Sequence, residues 1–314
     1  EKPTLELVRL LTDAIDQSHP LLHYDEKGEA CITRQLLREV GIANLKQTVT
    51  LWQKEEIPGG INNDDIVLHS YEECLKQPQL HAENFRHIEE ESNKIHAQRL
   101  LQQTGNKWVV VNPPYPPLTS EELDHSFDLP YTRLPHPKYK GKRIPAYEMI
   151  KFSVTLHRGC FGGCAFCTIS AHQGKFIVSR SKDSILREVK AICQMPDFKS
   201  YLSDLGGPSA NMYQMHGKRQ ELCEKCKRPS CIHPSICPNL NGDHRPLLDI
   251  YRSVDSLPGI KKSFIGSGVR YDMLLHDWKD DRLNNANKEY TRELITKHVS
   301  GRLKVAPEHT SDEV

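Results

Sequence analysis

Four prolines fall within five residues, at Pro113, Pro114, Pro116 and Pro117. A backbone with that many missing donors and locked φ angles continues neither a helix nor a central strand. The run divides the chain into stretches of different character. Pro130, Pro135, Pro137 and Pro145 prolong the linker composition, so residues 112–147 are read as a proline-rich segment that wraps over a surface. The organisation predicted is then 1–111, 112–147 and 148–314.

The first part reads as mainly helical. Leu5, Val8, Leu11 and Ile15 recur at helical spacing, and residues 80–103 form a charged pattern with Phe85, Ile88, Ile95, Leu100 and Leu101 on one face, which predicts a long amphipathic helix. Short apolar runs lie at 30–32 and 49–51, and the run at 108–111 is of β type. The chain opens on Glu1 inside helical spacing and closes on Ser311, Asp312, Glu313 and Val314, where another helix begins to form. It is read as a piece of a longer protein that continues a missing upstream domain.

From about residue 148 the pattern changes to β-type runs, each followed by a loop of unusual composition and then a helical run. Strands are predicted at 150–156, 200–205, 262–265 and 303–306, and helices at 183–193, 247–256 and 290–298. Repeated strand, loop and helix at these separations implies parallel βα units, so the fold class is α/β, with a partial TIM-like barrel. In such folds chemistry gathers on loops at the C-terminal ends of strands. The loops here carry Cys160, Cys164 and Cys167, then Gly206, Gly207 and Pro208, then Gly266, Ser267 and Gly268, then Pro307, Glu308 and His309.

Cys160, Cys164 and Cys167 are the sharpest signal. Three thiolates hold three irons of a [4Fe-4S] cube and leave the fourth iron to a small-molecule chelator. The bland alternative is zinc, which takes four ligands, with His157 or His172 as the fourth. The spacing of three residues and then two, with Phe166 just before the last cysteine, resembles the cluster loop of radical S-adenosylmethionine (SAM) enzymes. Gly206, Gly207 and Pro208, the stretch from Phe264 to Asp272, and Lys304 to His309 narrow the resemblance to the bacterial YgiQ family of radical SAM proteins. That resemblance implies a [4Fe-4S] cluster and SAM, whose reductive cleavage gives a 5'-deoxyadenosyl radical. It also implies an electron donor of flavodoxin or ferredoxin type and SAM contacts at Gly206, Gly207 and Pro208, with Phe166 at the cluster. From their places after the third and fourth strands, Ser267, Arg270 and Glu308 are read as contacts to the ribose or carboxylate of SAM, the alternative being a solvated Arg270–Glu308 ion pair. Pro208 stands where many members carry an acidic residue. The substrate is not legible, and no further catalytic acid, base or thiol stands out.

A second group, Cys223, Cys226, Cys231 and Cys237, lies in an insertion at 211–246. Its low apolar content predicts a stretch that needs a metal to order it. Structural zinc and an auxiliary iron-sulfur cluster both fit those four thiols, and His216, His233 and His244 are alternative ligands. Cys31, Cys74 and Cys193 are isolated and read as ordinary buried thiols.

The competing class is a non-catalytic zinc-binding scaffold or nucleic-acid adaptor. Lys218, Arg219, Lys225, Lys227 and Arg228 support it, but no aromatic stacking platform accompanies them. A net charge of +1 argues against nucleic acid or a membrane surface as the main partner. No apolar run approaches the length of a membrane span and no secretory signal opens the chain, so a cytoplasmic protein is expected.

Overall fold

The computed structural model describes residues 2–31, 33–41, 45–305 and 311–312. The chain divides into two compact units, residues 1–116 with 224–227, and residues 117–223 with 228–314.

In the first unit a helix, Lys2–Asp16, precedes a two-stranded antiparallel ribbon, His23–Tyr24 with Ala30–Cys31. A four-stranded sheet follows in the order Val49–Trp52, Lys107–Val111, Leu100–Thr104, Ile66–Leu68. Its central hairpin turns at Gly105 and Asn106, between the paired residues Thr104 and Lys107. A two-residue loop with glycine at positive φ suits the twist of antiparallel strands. Trp52, Ile57, Leu101 and Val110 bury a small core beneath the sheet. Arg99 clamps one end through a two-point ion pair with Asp65 and bonds to the carbonyls of Pro58 and Gly60.

The single helix predicted over 80–103 is not what forms. The helix is Pro78–Ser92 and the strand Leu100–Thr104 follows it. Leu101 loses all its exposure in the sheet, whereas Phe85 and Ile88 on the helix stay exposed at 58% and 44%. Burial of one leucine in a sheet core outweighs the weak helical pattern, since full burial is worth about 1.5–3 kcal/mol per large apolar side chain.

In the second unit the proline-rich segment holds more structure than a wrapping linker. A capping box between Thr119 and Glu122 opens a helix, Ser120–Phe127, with Leu123 buried. A second short helix, Pro145–Ile150, occupies the start of the predicted first strand, which shortens to Ser153–Thr155.

That strand pairs in parallel with Asp204–Gly206, in the register Val154 with Leu205 and Thr155 with Gly206. Tyr201–Leu202 pairs in parallel with Lys262–Ser263. Bonds from Leu156 N–H to Gly206 O and from Leu205 N–H to Phe264 O carry the ladder across the three segments. The sheet is short, and the described residues form no closed barrel. Residues 303–305 of the fourth predicted strand are not in a strand, although Lys304 O accepts from Val269 N–H. Ala306 lies outside the described residues.

Helices Lys182–Cys193, Arg245–Asp255 and Asp281–Glu293 supply the apolar layer. The last continues as a π-helical turn, Leu294–His298, so the helix predicted at 290–298 is the end of a longer one. Val154, Leu156, Leu202, Leu205 and Ile265 from the strands meet Ile185, Val189, Leu248, Val254 and Tyr290 in one core. Side chains alternate along a strand, so Thr155 and Asp204 project to the side away from this layer, and His157 follows in a separate short strand, His157–Arg158, paired antiparallel with Val178–Ser179. Among the described residues, no helix is long and apolar enough to cross a membrane.

Candidate functional site

The cysteine loop leaves the first parallel strand at its C-terminal end. Cys160, Cys164 and Cys167 are half-buried and form no disulfide. A Cβ built on Gly162 would sit 3.3 Å from Cys160 Sγ and 3.7 Å from Cys164 Sγ. Two sulfurs therefore converge on a spot that only glycine leaves open. Burial raises the Cys160 thiol pKa, as do Cys164 and Cys167, while the Gly162 N–H and Arg270 oppose the rise. Among the described residues the thiols are not gathered at metal-binding distance, so holding a metal requires them to close further. Phe161 is buried, and Phe166 is 68% exposed on the outside of the loop.

Gly163, at φ 61°, is a tight point of the loop. A Cβ there would come within 2.8 Å of the Pro229 carbonyl carbon. The insertion is packed directly against the cysteine loop. Cys231 N–H donates to Phe161 O at 3.0 Å and Lys175 Nζ donates to Arg228 O at 2.7 Å. Phe161, Met212, Met215, Ile232, Leu240 and Met273 form a second apolar cluster, bordered by Cys160, Cys231 and Cys237. The expectation that this stretch needs a metal to order it therefore gives way to an apolar core shared with the cysteine loop. Methionines supplied much of that core, and they are easily overlooked in a stretch read as polar. Cys223 Sγ accepts from Asn239 Nδ2, and Cys226 falls in the stretch 224–227 that groups with the first unit.

The next strand end is built by Asp204, which accepts from the Gly266 and Ser267 N–H groups at 2.8 and 3.1 Å and from the Ser267 hydroxyl. Those bonds bring Ser267 against Gly206, where a Cβ would lie 3.0 Å from Ser267 Oγ. A Cβ on Gly207 would lie 2.7 and 2.8 Å from the two ring nitrogens of His157. Pro208 follows, half-buried, and Ala210 N–H donates to Gly268 O.

Arg270 reaches from the third strand end to Cys164, with Nη1 3.7 Å from Sγ. It is ion-paired with Asp272, which raises its pKa. Its backbone is held by Asn211, whose Oδ1 accepts from Arg270 N–H at 2.7 Å and whose Nδ2 donates to Arg270 O at 3.1 Å. The same Nδ2 lies 3.1 Å from His244 Nε2, and His244 Nδ1 is 2.9 Å from Asn287 Oδ1. Asn287 Nδ2 donates to Gly242 O, so its oxygen faces the ring and can only accept. The proton is therefore on Nδ1. Burial pushes the His244 pKa down to about 4. Glu308 lies outside the described residues.

The structure thus brings Cys160, Cys164, Gly206, Ser267 and Arg270 to adjoining strand ends. Asp204 and Asn211, which tie those ends together, are polar residues inside apolar runs. That position was their only signal in sequence. The donor set suits a cluster: three thiols, a glycine cradle, a guanidinium on one sulfur and polar groups on the neighbouring strand ends.

These features suit a radical SAM protein. The family Radical SAM N-terminal matches residues 16–153. A UPF0313 protein of Bacteroides thetaiotaomicron is 65% identical over all of this chain, which covers 48% of it. A UPF0313 protein of Porphyromonas gingivalis is 63% identical over 87% of the chain and 43% of its own length. The UPF0313 protein YgiQ of Escherichia coli is 46% identical over 79% of the chain and 32% of its own length. The chain belongs to this YgiQ-like radical SAM family, and it spans about half or less of these relatives. No solved structure matches it.

Proposed function

We propose that this chain carries the cofactor-binding part of a radical SAM enzyme. Cys160, Cys164 and Cys167 hold a [4Fe-4S] cluster, and its three parallel segments are the start of a (βα) barrel. When bound, the cluster and SAM supply reductive cleavage of the sulfonium to methionine and a 5'-deoxyadenosyl radical that abstracts hydrogen from a substrate. The chain's own groups bind and orient. Gly206, Gly207 and Pro208 offer backbone to the amino-acid end of SAM, and Ser267 and Arg270 offer a hydroxyl and a cation. Glu308 is a further SAM contact by its place after the fourth predicted strand. Phe166 borders the same loop, and its exposed ring can close over the ligand.

The observation that carries this reading is the Arg270 guanidinium beside Cys164, because it joins the cysteine loop to the third strand end. The contact sets a guanidinium against a sulfur that the cluster would use. A small flavodoxin- or ferredoxin-like protein supplies the electron. Metal at Cys223, Cys226, Cys231 and Cys237, whether zinc or an auxiliary cluster, is a second proposal with less support.

Anaerobic reconstitution with iron and sulfide tests the assignment. The expected product is brown, holds about four irons per chain and yields methionine and 5'-deoxyadenosine after reduction with SAM present. A colourless protein that takes up zinc at both cysteine groups refutes it. A wild type and a Cys223→Ala, Cys226→Ala variant with equal iron would make the second group non-iron.

A further inference from the structure

His157 is a buried side chain on the polar side of the strands that has nothing to bond. It is 0% exposed, and neither Nδ1 nor Nε2 has a hydrogen-bond partner. Its neighbours on that side are satisfied. Asp204 and Ser267 bond each other, and Gly206 O accepts from Leu156 N–H. A neutral imidazole carries one donor and one acceptor, and a buried polar group without partners is rare in a folded protein.

Packing alone does not account for it. The ring lies flush against Gly207, so close that a Cβ there would overlap both nitrogens. An apolar side chain of similar volume would fill the same space without stranding two polar atoms. The position is also special: the ring stands three residues before Cys160, at the end of the strand that delivers the thiols, and against the glycine pair of the next strand. Burial pushes its pKa down to about 4, so the ring is neutral near pH 7.

We propose that His157 is a binding residue of this site, and that its imidazole completes its hydrogen bonding with the α-amino-acid end of the ligand that sits at Gly206 and Gly207. Either polar group of that end suits it. The lone pair accepts from an amino group, and the ring N–H donates to a carboxylate. The inference rests on the site being a SAM site and deepens that reading by assigning a side chain to the amino-acid end. It also gives Gly207 a definite task, which is to let the imidazole lie alongside the backbone the ligand meets.

The test uses anaerobically reconstituted wild type, His157→Leu and His157→Phe, with the cluster kept oxidised so that SAM binds without being cleaved. Iron content, SAM affinity by equilibrium dialysis, affinity for 5'-methylthioadenosine, which lacks the amino-acid end, and thermal midpoint without ligand are measured on each. Expected are equal iron, SAM binding weakened about tenfold or more in both variants, and unchanged methylthioadenosine binding. Without ligand, the better-packed variant should melt at or above the wild-type temperature, because two stranded polar atoms are gone.

SAM affinity equal to wild type in an iron-loaded variant overturns the proposal and leaves the ring as filler or the partner of a buried water. Parallel losses for SAM and methylthioadenosine also overturn it, because they report general damage to the site. Wild type that takes up no iron, or loads iron and does not bind SAM, sinks the earlier reading of the site instead. Phe, planar like imidazole, carries the comparison where Leu packs poorly.

Discussion

Asn211 is a residue whose removal should cost much for its size. Its side chain is fully buried and makes three hydrogen bonds, two to the Arg270 backbone and one to the His244 ring. Asn211→Ala deletes all three and strands the Arg270 N–H and the His244 lone pair away from water. Each lost bond is worth about 0.5–1.5 kcal/mol net and each stranded buried group about 1–3 kcal/mol. Allowing for overlap between these terms, the expected loss is about 3–4 kcal/mol. With a urea slope of about 2–3 kcal/mol per molar, the unfolding midpoint falls by about 1–2 M. Far-UV circular dichroism of wild type and variant over a urea series reads this directly. Asn287 also makes three side-chain hydrogen bonds, to the His244 backbone N–H, the His244 ring and Gly242 O, so Asn287→Ala should cost a similar amount. A midpoint unchanged within about 0.2 M in either variant would refute the network as described.

Gly207→Ala should destabilise by about 1–3 kcal/mol through overpacking against His157, and His157→Ala in the same chain should restore part of the loss in a double-mutant cycle. Phe161→Ala should cost about 3–5 kcal/mol and lower iron uptake, because that ring holds the cysteine loop to the insertion; calorimetry and iron assay check the two effects separately. Cys160→Ala should abolish cluster loading, read as loss of the brown chromophore. His157 and His244 titrate near 4 when folded and near about 6.5 when unfolded, so the unfolded chain binds the extra protons between those values. The stability this contributes is complete above about pH 6.5 and is lost as pH falls towards 4, by about 3 kcal/mol for each ring; urea midpoints that stay flat from pH 7 to pH 4.5 would contradict it.

The apolar architecture of the second unit was legible because each of its strands carries branched residues on one side and each helix a clear stripe. Leu202, Leu205 and Ile265 meet Val189, Leu248 and Val254 much as that pattern requires. The lengths were less legible. The expected strand at 150–156 lost its start to Pro145–Ile150, where a proline in the first turn favours a helix that hydropathy does not reveal. Leu100 and Leu101 were read as the end of a helix because i, i+4 spacing continues through them. Pairing with Val110 and Val111 decided otherwise, and a partner strand is invisible to any local window.

The glycine pair shows where reading a site from sequence reaches its limit. A glycine in a sequence says that a Cβ does not fit, and the natural inference is that a ligand takes the space. Here Ser267 and Asp204 come within 3.0 Å of a Cβ on Gly206, and the His157 ring nitrogens within 2.7 and 2.8 Å of one on Gly207. Both are drawn there by the fold, the first by the bonds Asp204 makes to the third strand end and the second by the short strand His157–Arg158. What remains available to a ligand at these residues is their backbone. Of the side chains that crowd the glycines, the Ser267 hydroxyl donates to Asp204 and keeps acceptor capacity, whereas both ring nitrogens of His157 are without a partner.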